Sequence, residues 1–147
     1  MRAARGFSLL EVLVAIVVVA TGVLGIAGLQ MMSMQNNTSA LFRTQANQLA
    51  YDIIDRARAN PAGVYLVNLV DDAPASPNCV NQDCVPDEMT DYDLSLWLTE
   101  VVTSLPAGDA AITMNGNLVT VTVQWDDSRS AMNAAPVSVS VTTALAL

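Results

Sequence analysis

Residues 7–29 read FSLLEVLVAIVVVATGVLGIAGL, a run without Lys, Arg, Pro, Asn or Gln. As a helix these 23 residues span about 34 Å, enough to cross the hydrocarbon of a bilayer. Glu11 alone interrupts the run with charge, and a carboxylate in a spanning helix costs about 2.5–3.5 kcal/mol at the centre and less near an end. A partner for it is therefore expected. The helical pattern continues past residue 29, because residues 30–60 hold neither Pro nor Gly. Phe42, Ala46, Leu49, Ala50, Ile53 and Ala57 fall on one face at three- and four-residue steps, while Arg43, Asn47, Asp52, Asp55 and Arg56 lie largely off it. Asp52 and Arg56 have the spacing of an i,i+4 ion pair, and Pro61 ends the pattern. One helix of roughly 54 residues, about 80 Å long, is predicted, apolar all round in its first half and amphipathic in its second. A soluble domain should pack on the amphipathic face.

The rest of the chain changes period twice. Residues 60–85 carry loop signals, NPAG and DDAPASPNC, with residues 64–70 fitting a short strand or a helical turn. Pro86 opens a second helix with Asp87 and Glu88 in its first turn, and Leu94, Trp97, Leu98, Val101 and Leu105 form its apolar stripe before Pro106-Ala107-Gly108. Trp97, spaced among leucines, reads as core. Residues 111–114 and 118–125 predict a hairpin turning at Asn115-Gly116, with Val119, Val121, Val123 and Trp125 alternating against Thr120, Thr122 and Gln124. Residues 126–136 read as a polar loop. Val137, Val139 and Val141 mark a further strand, giving a three- or four-stranded antiparallel meander over the helix.

Charge adds orientation. Ahead of the apolar run stands MRAARG, whose Arg2 and Arg5 hold the helix start in the cytoplasm by the positive-inside rule. A secretory signal peptide has the same outline, and Gly25-Ile26-Ala27 before Gly28 has the small-x-small form of a cleavage site. The run is longer than a usual signal core, however, and a Glu just inside it suits a retained segment better; a plain uncleaved anchor is the other alternative. The 147-residue chain has a formal charge of −8, and loss of Arg2 and Arg5 leaves four Arg against 14 acids, or −10 before the new terminus is counted. With no basic cluster, direct nucleic-acid binding is not expected. With no His, no Lys and no G-x-S-x-G, an enzyme is not expected either, nor any cofactor. Asp83, Asp87, Glu88, Asp91 and Asp93 could gather around calcium, but they match no EF-hand spacing and about half of them are expected on a solvated helix face, so no metal site is assigned to them. Cys79 and Cys84 are spaced C-x4-C, which in an oxidising compartment reads as a structural disulfide closing a small loop rather than a zinc or redox pair.

The stretch from Gly6 through Phe7 and Glu11 to Ala15 resembles the class III leader junction of type IV pilins and of the pseudopilins of type II secretion. The resemblance implies cleavage by a prepilin peptidase between Gly6 and Phe7, N-methylation of Phe7, and a mature chain whose fifth residue is Glu11. The family implies that Glu11 pairs with the terminal amine of a neighbouring subunit, setting register in assembly; pairing with its own Phe7 amine one turn away, or contact only with water at the interface, is the alternative, and both can hold at different stages. Gly22, Gly25 and Gly28 fit two roles equally, local helix stretching in a filament or close helix contact in the membrane. RANPAG after the stem, the C-x4-C pair, YDLSLW followed by LPAG, and the hairpin ending in WDD resemble, in that order, the minor pilins called type IV pilus modification protein PilV.

What the resemblance implies is an α+β, pilin-like lollipop, a long N-terminal helix packed under a small antiparallel sheet. Its expected parts are a leader (1–6), a transmembrane half-helix (7–29), an amphipathic half-helix (30–60) and a globular domain (61–147). The function implied is that of a minor pilin in a type IV pilus, serving assembly initiation and, through the pilus, adhesion and twitching motility. Its partners are other minor pilins, the major pilin, the prepilin peptidase, the inner-membrane assembly platform and, before assembly, the inner membrane, with the C-terminal domain in the periplasm. Two alternatives share the same motifs, a minor pseudopilin of a type II secretion system and a pilus-borne adhesin acting through the cysteine loop.

Overall fold

In a computed structural model, which describes residues 6–127 and 135–145, the first element is the helix α1 (Leu9–Ala59). It begins where Ser8 caps it: the Ser8 Oγ accepts the Leu10 N–H at 3.3 Å, and the Ser8 carbonyl accepts the N–H groups of Glu11 and Val12. Thr21 donates to the carbonyls of Val17 and Val18, so its hydroxyl is satisfied within the helix. The helix ends at Ala59 because Pro61 follows, as the sequence predicts.

The chain divides into two compact units, residues 1–39 and 40–147. In the first, every described residue from 6 to 37 is exposed, including Leu9, Leu13, Ile16, Val17, Leu24 and Leu29. Among the described residues, nothing covers the apolar half of α1. The predicted leader residues 1–5 lie outside the described residues.

The second unit is α+β. The last part of α1 supplies Ala46, Leu49, Ala50, Ile53, Ile54 and Ala57 to the core, the predicted stripe with Ile54 added and Phe42 only partly covered. The helix α2 (Pro86–Ser104) adds Leu94, Trp97, Leu98 and Val101, and Leu105 follows at its C-cap. Glu88 stabilises the start of α2 by accepting the Val85 N–H at 3.1 Å. Trp97 is fully buried and donates its indole N–H to the Leu49 carbonyl at 2.8 Å, tying α2 to α1. The sheet has the order β1 (Asp109–Asn115), β2 (Leu118–Trp125), β3 (Val137–Ala144), antiparallel throughout. Val119, Val121, Val123 and Trp125 face the core, and Thr120 and Thr122 bond across the other face to Thr142 and Ser140 at 2.9 Å.

Two local readings change. The β1–β2 turn is Gly116-Asn117, not Asn115-Gly116: Asn115 still pairs with Leu118, and Gly116 takes the positive φ of 60°. A positive φ at the first central residue is the type II′ hairpin pattern, so the glycine determines the register and the Asn does not. Residues 64–70 form neither strand nor helical turn but one bridge, Val67 to Ile112. Of the predicted polar loop 126–136, residues 128–134 lie outside the described residues.

Candidate assembly segment and its supporting network

Phe7 and Glu11 lie four residues apart at the start of α1, and both are exposed, Phe7 at 82%. With Val12, Ala15, Ile16 and Val19 they line one shallow face of the helix. Glu11 stands in the first turn, where the N–H groups of the helix end favour negative charge, and Ser8 three residues earlier is the capping residue. The S-x-x-E spacing of Ser8 and Glu11 is the sequence signal for this cap, one that the apolar periodicity does not carry. Phe7 here remains in peptide linkage to Gly6. An 18-residue window of α1 has a mean hydropathy of 2.7 and is wholly unburied, long and apolar enough to cross a membrane.

In the second unit a polar network joins α1, the loop after it and α2. Asp93, 9% exposed, accepts the Tyr65 O–H at 2.6 Å and an Arg56 Nη1–H at 3.3 Å; Arg56 also holds Asp52 at 2.9 Å, the i,i+4 pair expected from the sequence. Burial, and then the bond to Asp93, push the Tyr65 hydroxyl up to about 12. Burial works against the charge on Arg56, but Asp52 and Asp93 more than offset it and hold the guanidinium above its ordinary value. The Asn60 amide donates to the Pro86 carbonyl at 2.8 Å and to Thr90 Oγ1 at 3.2 Å. Gly63 packs so closely here that a Cβ would collide with Thr90 Oγ1 and the Asn60 amide.

RANPAG therefore has a structural meaning. Arg58 bonds Asp55 and Thr143, Asn60 fastens the helix end to α2, Pro61 stops the helix, and Gly63 makes room for Thr90. Asp93, one of the five acids weighed together for calcium, is a structural carboxylate, buried and held by Tyr65 and Arg56. Asp83, Asp87, Glu88 and Asp91 are exposed, and among the described residues no three metal-ligating side chains converge. Cys79 and Cys84 are joined as a disulfide, with a Cα separation of 5.5 Å, in the loop before α2.

Residues 1–27 match the family model of the prokaryotic N-terminal methylation motif, which defines the class to which the leader and the first part of α1 belong. Residues 28–95 match the Tt1218-like model, type IV pilin Tt1218, directly adjoining the first match. The chain belongs to the type IV pilin-like family. Comparison with curated proteins and with solved structures returned no match. Pilins are structural subunits that assemble with other pilins, and an N-terminal methylation motif before a long apolar helix fits membrane anchoring and a pilus.

Proposed function

We propose that this chain is a minor pilin of a type IV pilus, made as an inner-membrane precursor with its C-terminal domain in the periplasm. The prepilin peptidase cuts after Gly6 and methylates Phe7, leaving Glu11 four residues from the new ammonium. The observation that carries this reading is the uncovered apolar half of α1 bearing one acid in its first turn. Surface of that kind is stable only in lipid or against other helices, and its acid is relieved by an amine brought into the same low-dielectric setting. Delivery to the pilus then runs through the assembly platform, with the major pilin and other minor pilins as neighbours. The order of RANPAG, C-x4-C, YDLSLW and WDD supports placement among the PilV-type minor pilins, where the part played in adhesion and twitching is indirect.

Glu11→Ala tests the reading. The variant should be processed and retained in the membrane, yet fall about tenfold in sheared pili, a loss of 1.4 kcal/mol or more in docking. Unchanged incorporation would contradict the role given to Glu11. Normal pili with loss of a secreted protein on gene deletion would move the chain to a secretion pseudopilus.

A further inference from the structure

The sheet treats its two outer edges differently. On β1, Ile112 exchanges both backbone hydrogen bonds with Val67, at 2.8 and 3.3 Å, and the Asp109 carboxylate accepts the Val70 N–H at 3.0 Å. β3 is the last strand of the order, and among the described residues nothing pairs with its outer edge. The strand reads VSVSVTTA, eight residues paired one for one with β2 and with no bulge, charge or proline of their own, Pro136 standing just before them and Arg58 of α1 reaching only the Thr143 hydroxyl near their end. Natural sheets blunt a free edge with lysine, proline, a bulge or a covering segment, because an unblunted one adds a strand from another chain.

The packing beneath the edge is also unfinished. The core-facing side chains of β2, Val119, Val121, Val123 and Trp125, are 0–1% exposed, whereas Val137, Val139 and Val141 of β3 are only partly buried. A further strand alongside β3 would cover this row and satisfy the free backbone groups together.

Charge selects the occupant. Residues 40–147 contain 13 acids and four arginines, a balance of −9, so two copies of this unit repel each other. We infer that the free edge of β3 receives a β-strand from a different pilin subunit, less acidic than this chain, whose alternate apolar side chains close over Val137, Val139 and Val141. This rests on the pilus-subunit reading above, and names the surface and mode by which that subunit is held.

The test places a photo-crosslinking amino acid at the exposed Thr142 of the full-length chain in its own cells, and at the exposed Thr113 of β1 for comparison. After illumination, adducts from envelopes and sheared pili are sequenced by mass spectrometry. The Thr142 probe should join one segment of another chain bearing a prepilin-type leader, about tenfold more than the Thr113 probe, as edge pairing requires. Val139→Lys should lower both the adduct and the amount in pili, with Val139→Thr leaving them intact. If Val139→Lys also lowers the cellular amount, the exposed Ser140→Lys is read in its place. An adduct to a second copy, to residues 128–134 of the same chain or to a protein outside the pilin family overturns the inference. So does a processed chain present in pili with no Thr142 adduct, and in that case the pilus reading survives. An unprocessed chain absent from pili overturns both.

Discussion

Asp93 holds the junction of α1, the following loop and α2 through two partners, the Tyr65 hydroxyl and the Arg56 guanidinium. Asp93→Ala removes both, takes from the buried Tyr65 hydroxyl the carboxylate that accepts its proton at 2.6 Å, and should cost about 2–3 kcal/mol in denaturant unfolding of the detergent-solubilised chain. Tyr65 gives the junction a pH signature. Its folded value near 12 stands above the ordinary 10.0, so the protonated form is favoured by folding. That stabilisation is complete below pH 10 and is lost as pH rises through about 12, roughly 2–3 kcal/mol in all. Wild type should therefore lose stability across this window more steeply than Tyr65→Phe, as thermal unfolding at stepped pH would show. Asp93 was legible in principle: it precedes Trp97 by four residues and so lies on the apolar stripe of α2. Counting acids hid this. Its partner Tyr65 sits in a loop whose path no periodicity reveals.

The elements with a strong period were the legible ones. α1, α2 and the alternating valines of β2 and β3 stand where the hydrophobic pattern puts them, because burial of one face dictates both period and register. Loops and turns were less so. The hairpin was anticipated, but its turn is one residue further along because Gly116, and not Asn115, carries the positive φ. Gly116→Val should cost about 1–2 kcal/mol through that φ, although nothing lies within 4 Å of the added Cβ. Gly63→Val should cost more for the opposite reason, since its site is closed by Thr90 and Asn60 while its φ is ordinary. The Cys79–Cys84 bridge closes a loop with a sequence separation of 5, so Cys79→Ser with Cys84→Ser should lower stability by about 2 kcal/mol and leave the core folded. Near-ultraviolet circular dichroism from Trp97 and Trp125 reads that outcome.

For the whole chain, the two units divide the physical problem. The described residues of 40–147 build a core from two helical segments and a sheet, whereas the apolar residues of the first unit are exposed and must be covered by lipid or by other helices. Membership of the type IV pilin-like family accords with such a segment, since an N-terminal methylation motif before a long apolar helix fits membrane anchoring and a pilus. The leader junction made the family legible from sequence, since few other segments combine a basic start, Gly6-Phe7 and an acid at the position of Glu11. Neighbours in a filament leave no such mark, because they are specified by surface shape. The most direct measurement is the mass of the mature amino terminus of the chain recovered from membrane and pilus fractions. N-methylated Phe7 is the expected result; an intact Met1, or a chain beginning at Gly28, would contradict processing after Gly6 and with it the assembly role of Glu11.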